Sequence, residues 1–270
     1  MKEDEKMTFG GHLEVLRRML FRIIFVTIVF AIAIFCFKEE TFSILLAPSE
    51  WDFITFRGIE YLCNVIGWNF HFNEYHINLI ATELSSQFMI HLSTSIYLAL
   101  LIASPYIVFE LFRFISPALY ENEKKYSTKI SVAIYLLFII GVLISYFLIF
   151  PISFRFLGTY QVDSSVVSNI TLKSYISTFT TLTFVLGVMF QLPILAFFMA
   201  KMEIINAKIM SKYRSYVFMI ILIISAIITP PDVFTLILVT IPLYLLYEIS
   251  IRVVKKIDKK NKLLLFSSVF

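Results

Sequence analysis

Polar and apolar positions in this chain separate on the scale of whole segments rather than single residues. Six apolar runs, 21–37, 88–109, 130–150, 175–200, 216–229 and 233–251, are divided by stretches that carry nearly all the charge. The short alternating strands of a membrane barrel are missing. Backbone polar groups cannot stay unpaired in lipid, so helices are the remaining solution. The pattern predicts an all-α integral membrane protein with six transmembrane helices.

The last two runs carry a geometric message. The run 216–229 rises only about 21 Å at 1.5 Å per residue, against a hydrocarbon core about 30 Å thick. Pro230-Pro231 breaks any continuous helix through 216–251. A short hairpin is therefore expected, with Pro230, Pro231 and Asp232 at its tip, and it must thin the bilayer or leave a depression beside it. Before the first run, Leu13, Leu16 and Leu20 recur at helical spacing, which predicts an interfacial helix preceding the turn into the membrane. The stretch 38–87 is too long for a bare turn and holds Trp51, Tyr61, Trp68 and Tyr75. A cap built from short helices is expected there.

Charge orients the zigzag. Of 23 Lys and Arg residues, all but Lys38, Arg57, Arg155 and Lys173 sort to one side when the chain is folded across a bilayer at each run. Positive charge stays cytoplasmic, so both termini are expected inside. The whole chain, 1–270, then reads as a single six-helix membrane domain, with a cytoplasmic arm over 1–19, an outer cap over 38–87 and a cytoplasmic basic tail over 252–270. The first run is followed by Lys38, Glu39 and Glu40 without a small-residue cleavage site, which reads as retained helix. A chain that is 59% hydrophobic with 29 Phe exceeds what a soluble domain of this length needs. Orientation accounts for the basic residues, so a nucleic-acid partner is the weaker reading; the tail is placed to rest on anionic lipid head groups.

Catalytic chemistry finds little footing. GxxxxGK[ST], GxSxG and HExxH are all absent from the sequence. His12, His71, His76 and His91 make no ligand set, and Cys36 and Cys63 are spaced for no metal. A disulfide between the two cysteines is left open. No catalytic residue, metal or cofactor is predicted. Ion-coupled transport normally needs ionisable groups at membrane depth. The third run has none, and the fourth has only Gln191 beside Pro193. Gln191 should bond either to a neighbouring helix or to the helix of a partner. Glu248 lies near the inner end of the sixth run, within reach of water or Arg252.

Prolines mark a shaped body. Pro48, Pro151, Pro230 and Pro231 fall on the outer side, and Pro105 and Pro117 flank the inner end of the second run. Pro193 and Pro242 sit inside helices, where each permits a kink. On the cytoplasmic side, Glu121 and Glu123 stand among basic neighbours. They are either part of a solvated loop or acceptors for a basic peptide, an arginine pair above all, through charge-assisted bonds.

Four stretches resemble one family. HLEVLRRML (12–20) is similar to the N-terminal HLxELRxRL pattern of the TatC proteins, the polytopic receptors of the twin-arginine protein translocase. FISPALYENEKK (114–125) resembles their first cytoplasmic loop, FQLP (190–193) their fourth-helix F[EQ]xP, and ITPPD (228–232) with IPLYLLYEIS (241–250) their last hairpin. The resemblance implies a receptor, not an enzyme. Such a protein binds the twin-arginine signal peptides of folded precursors at the cytoplasmic face of a bacterial inner membrane. It also gathers TatA/TatB-type single-span subunits and further TatC copies, and it draws on the proton-motive force. Carried over by position, Glu123 matches the loop glutamate that receives the arginine pair and Arg17 the arginine of the N-terminal motif. Pro48 matches a first-loop proline, Asp232 the aspartate of the hairpin tip, and Gln191 the position that contacts a partner's helix. Two departures stand out. The motif's usual glutamate is Val15 here, with Glu14 one residue earlier and about 100° away around a helix. Where several relatives carry glutamine after TPPD, this chain has Thr235-Leu236. The competing reading is a small secondary transporter or channel, for which the expected inverted repeats and buried charges are not evident.

Overall fold

The computed structural model of the chain describes residues 9–68, 71–75, 77–115, 127–161, 163 and 169–267. Five helical stretches among them are long and apolar enough to cross a membrane: Leu13–Cys36, Ser86–Leu111, Val132–Thr159, Leu172–Lys201 and Val233–Lys259. The fifth run forms a shorter apolar helix, Arg214–Ile228. The chain divides into two compact units, Met1–Ser43 with Glu83–Leu136, and Ile44–Thr82 with Leu137–Phe270.

In the first unit, α1 (Phe9–Cys36) packs along α4 (Ser86–Ile115). The helix begins at the paired glycines and runs unbroken into the first span, so the expected turn between an interfacial helix and the membrane is not formed. The physical reason is local: HLEVLRRML holds no Pro or Gly, and its Leu, Glu, Arg and Met all favour helix. The face of α4 carrying Ser95, Ala99 and Ala103 is buried. Small side chains at a four-residue spacing let two backbones approach, the usual device where lipid offers no hydrophobic drive. At one end of the pair Phe35 stacks on His91, with ring centroids 4.1 Å apart. At the other, Arg22 meets Glu110. The two helices are therefore antiparallel.

The second unit begins with the end of α2 (Lys38–Leu46), a 3₁₀ turn at Ala47–Ser49 and α3 (Ile54–Val65), the short-helix cap expected from the sequence. It continues through α5 (Ser127–Ile144, from 137 onward), a π turn at Ser145–Ile149 and α6 (Phe150–Thr159). Two prolines explain the cap's attachment. Proline has no N–H for the carbonyl four residues back. Pro48 leaves the Ile44 carbonyl open, and the Tyr146 hydroxyl donates to it at 2.7 Å. The next carbonyl, Leu45, accepts from the Tyr175 hydroxyl at 2.8 Å. Pro151 leaves the Phe147 carbonyl open, and Thr55 Oγ1 donates there. Around these bonds Tyr146, Phe150, Phe154, Tyr175 and Phe179 pack edge to face, with centroids 4.9–6.0 Å apart.

Arg155 completes the cap. Its guanidinium lies 4.9, 4.3 and 4.7 Å from the ring centres of Phe56, Phe72 and Tyr75, and it donates to the Asn73 carbonyl at 2.8 Å. Cation–ring attraction and this bond tie α6 to the loop. Burial pushes the Tyr75 hydroxyl up to about 12, against the pull of Arg155. Strands β1 (Leu79–Ile80) and β2 (Ile170–Thr171) pair in parallel beside it.

The fourth span is two helices, α7 (Leu172–Met189) and α8 (Leu192–Lys201), broken at Phe190-Gln191 just ahead of Pro193. Facing the break, a Cβ on Gly141 would fall 2.7 Å from the Leu186 carbonyl oxygen, and one on Gly187 would fall 2.8 Å from the Phe138 ring. These two glycines bring α5 and α7 into backbone contact. The short helix α9 (Ala207–Lys212) then leads to α10 (Arg214–Ile228) and α11 (Val233–Ser267). The basic tail is thus helical through Ser267, continuous with the last span. Val254 is buried against Ala196 and Ala200, while the Asp258 carboxylate accepts from the Ala207 N–H at 2.9 Å.

Candidate functional site

Three places collect the residues singled out in the sequence. The first is a cleft in the α1/α4 unit, about 180 Å³, lined by Val15, Arg18, Met19, Arg22, Glu110 and Phe114. Glu14 and Arg17 are exposed on the same stretch of α1, and Glu14 pairs with Arg18 one turn on. Val15 faces the cleft and Glu14 does not line it, so Glu14 does not take the place that the motif's glutamate would hold. A carboxylate is present nonetheless. Glu110 reaches in from α4, its side chain 5% exposed, and Arg22, 48% exposed, sets Nη1 3.3 Å from both of its oxygens. The Tyr106 hydroxyl donates to Oε1 at 3.2 Å. A buried carboxylate floored by Val15, Met19 and Phe114 suits a cation on an apolar stem. Glu121, Glu123 and Pro117 lie outside the described residues.

The second place is the break in the fourth span. Gln191 N–H bonds to the Val188 carbonyl, one residue short of helical spacing. The carbonyl this skips, on Gly187, accepts instead from Gln191 Nε2 at 3.4 Å. With this bond the glutamine side chain bridges its own broken helix. Pro193, at the start of α8, is buried.

The third is the hairpin. Thr229 Oγ1 donates to the Ser225 carbonyl at 2.9 Å, which ends α10. Asp232 Oδ1 accepts from the Thr235 N–H at 2.6 Å, an N-cap that starts α11. Thr235 itself is fully buried. At the open end Glu248 is held by Arg214 rather than by Arg252: Nε lies 2.9 Å from Oε1 and Nη2 lies 3.0 Å from Oε2. Arg214 begins the preceding helix, while Arg252, one turn beyond Glu248, is exposed. Tyr244 adds a hydroxyl at 3.3 Å. The hairpin is clamped at both ends, and its shorter helix rises about 22 Å.

Sequence reading did not single out Glu110, Tyr146, Tyr175 or Arg155. Glu110 sits immediately after the second apolar run, at the end of the helix opposite the N-terminal motif, and that position was its available signal. Cys36 and Cys63 are free thiols. Among the described residues, no three His, Cys, Asp or Glu side chains come together to hold a metal.

Comparison with known proteins agrees across nearly the whole chain. Residues 11–242 match the family model for TatC, the Sec-independent protein translocase protein. The TatC of Blattabacterium sp. subsp. Periplaneta americana is 34% identical over 263 residues, covering 96% of this chain and 99% of its own. That of Desulforapulum autotrophicum is 33% identical over 261 residues, covering 96% and 88%. Two crystal structures of the twin arginine translocase receptor TatC superpose with TM-scores of 0.69 and 0.73. Each is 30% identical and covers 90% of this chain, and they cover 97% and 99% of their own chains.

Proposed function

The chain belongs to the TatC family of Sec-independent protein translocase proteins, and from that premise we propose that it is the receptor core of a twin-arginine translocase in a bacterial cytoplasmic membrane. It spans the membrane six times with both termini in the cytoplasm, the α10–α11 hairpin supplying the last two crossings. It carries out no covalent chemistry. It binds twin-arginine signal peptides of folded precursors at its cytoplasmic face, through Glu123 assisted by Glu121, Arg17 and Glu14, and gathers TatA/TatB-type subunits and further copies of itself. The proton-motive force drives transport.

The observation that supports this reading is the meeting of two motifs. Val15 and Met19 of the N-terminal motif line one cleft with Phe114, the first residue of the loop motif. The stretch of α1 and the start of the loop that the family pattern marks for peptide recognition thus converge at the basic end of the helix pair. Gln191 and Pro193, at the break, and Thr235, at the head of α11, form the flank for partner helices. Pro48, Pro230, Pro231, Asp232 and Glu248 hold the frame, and Pro117 shapes the loop.

The test is export of a folded reporter fused to a twin-arginine signal peptide. Glu123→Lys should abolish export while the variant still inserts at normal level. A photo-crosslinker at Gln191 in the same cells should capture a single-span subunit. Undiminished export in Glu123→Lys would refute the peptide-site assignment, and capture of lipid alone would refute the docking flank.

A further inference from the structure

We infer that α3 of the cap is an interfacial membrane anchor, its outward stripe seated in the lipid of the outer leaflet. The inference rests on the topology proposed above, which places the cap on the outer side of the membrane. The helix has two apolar faces, and the protein packs against one of them. Phe56 and Cys63 lie on the inward face, where Phe56 is buried among Phe72, Tyr75 and Arg155. On the other side, Ile54, Gly58, Tyr61, Leu62 and Val65 fall within an arc of about 100°. The large side chains of that arc, with Ile66 and Trp68 just past the helix end, are 59–74% exposed. A stripe of this width is what a helix ordinarily turns toward a core, yet among the described residues nothing covers it.

Depth decides what does. Pro151 opens the Phe147 carbonyl, and Thr55, in the first turn of α3, donates to it. Phe53, just ahead of the helix, stacks on the Phe147 ring with centroids 6.0 Å apart. Phe147 belongs to the candidate span Val132–Thr159, and it and Leu148 are themselves exposed. The start of α3 is thus held at the level of an apolar surface that meets lipid, and its stripe extends that surface sideways. The two charges of the helix stay off the stripe and are taken up by the cap: Arg57 pairs with Asp52, and Glu60 Oε1 accepts from the Phe72 N–H at 2.6 Å. Tyr61 and Trp68 bring rings with an apolar body and a polar edge, the side chains that settle between hydrocarbon and head groups. A helix of this kind lies in the membrane plane with its apolar face about 5–10 Å into that boundary. The lipid then grips the cap from outside, while Arg155 and the two tyrosine hydroxyls grip it from within.

Tryptophan serves as the depth probe, since the chain has only two. In the full chain carrying Trp51→Phe and Trp68→Phe, one tryptophan is returned as Leu62→Trp, Val65→Trp or Asn64→Trp. Each variant is reconstituted in vesicles of phosphatidylethanolamine and phosphatidylglycerol. At 62 and 65, lipid with a nitroxide high on its acyl chain should quench several-fold more than aqueous iodide. At 64, on the polar flank, the order should reverse. Equal iodide quenching at all three positions overturns the inference. So does shielding of 62 and 65 from both quenchers, which would mean that a second copy or another protein covers the stripe. If the replacements disturb the cap, the native Trp68 in Trp51→Phe decides: lipid quenching above iodide quenching supports the anchor, and the opposite order overturns it. Sidedness is read separately. In spheroplasts, Asn64→Cys in a chain with Cys36→Ser and Cys63→Ser should react with a membrane-impermeant maleimide. Reaction only after lysis overturns the proposed topology, and the outer leaflet with it, while leaving the depth result in place.

Discussion

Two Arg–Glu pairs each join two helices in this molecule, and they are built differently. In the hairpin, Arg214 meets Glu248 with two donors at 2.9 and 3.0 Å, and both side chains remain partly in solvent. In the α1/α4 unit, Arg22 meets Glu110 with one donor at 3.3 Å, and the acid is buried while the base is not. The first is a fork closed on its own carboxylate, which fixes the spacing of a hairpin whose other end is capped by Asp232. The second sets a half-exposed base against a buried acid at longer range. Geometry and burial together separate the two pairs, where a count of ion pairs would treat them alike.

The sharpest way to break this contrast is to remove each base. Arg22→Ala takes a cation away from a buried carboxylate and should cost about 3 kcal/mol, read as thermal unfolding in detergent. Glu110→Gln leaves only a half-exposed guanidinium and should cost about 1 kcal/mol. Equal losses from the two would erase the asymmetry. In the hairpin both members are partly exposed, so Arg214→Ala and Glu248→Gln should each cost only about 0.5 kcal/mol, and high salt should shrink the difference from the unaltered chain. A larger, salt-independent loss would mean that the hairpin pair also holds a buried charge.

The smallest expected effect lies in the cap, where Arg155 is held by rings instead of a carboxylate. Burial raises the Tyr75 hydroxyl to about 12, above its ordinary value near 10. Between those values the unfolded chain has released the proton and the folded chain has kept it, so the contribution to stability is whole below pH 10 and is lost as pH rises toward 12. Tyr75→Phe should flatten that decline in a pH series of unfolding midpoints. A decline that persists in the variant would assign it to other groups.

Much of the fold is legible in the sequence because lipid imposes length and polarity on whole segments. The six runs map onto helices, the break at Pro230-Pro231 falls between α10 and α11, and the cap of short helices lies in the stretch marked as too long for a turn. What composition could not deliver was pairing. Pro48 was visible as a proline, but the hydroxyls that serve its open carbonyls come from Tyr146 and Tyr175, which periodicity treats as two more aromatics in apolar runs. The sequence offered Glu248 water or Arg252, and only the hairpin's closure brings Arg214 to it. Glu110 was overlooked because the apolar run ends at Phe109, so the acid counted as flank; antiparallel packing turns that flank into the wall opposite Val15. The continuity of α1 was hidden because Leu13, Leu16 and Leu20 read as the apolar face of a separate interfacial helix, although the same helix runs on into the first apolar run.

The hydroxyls that serve the Pro48 turn have a consequence for biogenesis. Tyr146 lies 102 residues downstream of the carbonyl it covers, and Tyr175 lies 130 residues downstream of its own. A ribosome must therefore deliver the third and fourth apolar runs before the turn at Pro48 can be locked. Until then that turn stays a provisional structure, open to quality-control proteases, and a stalled or truncated product would advertise itself there.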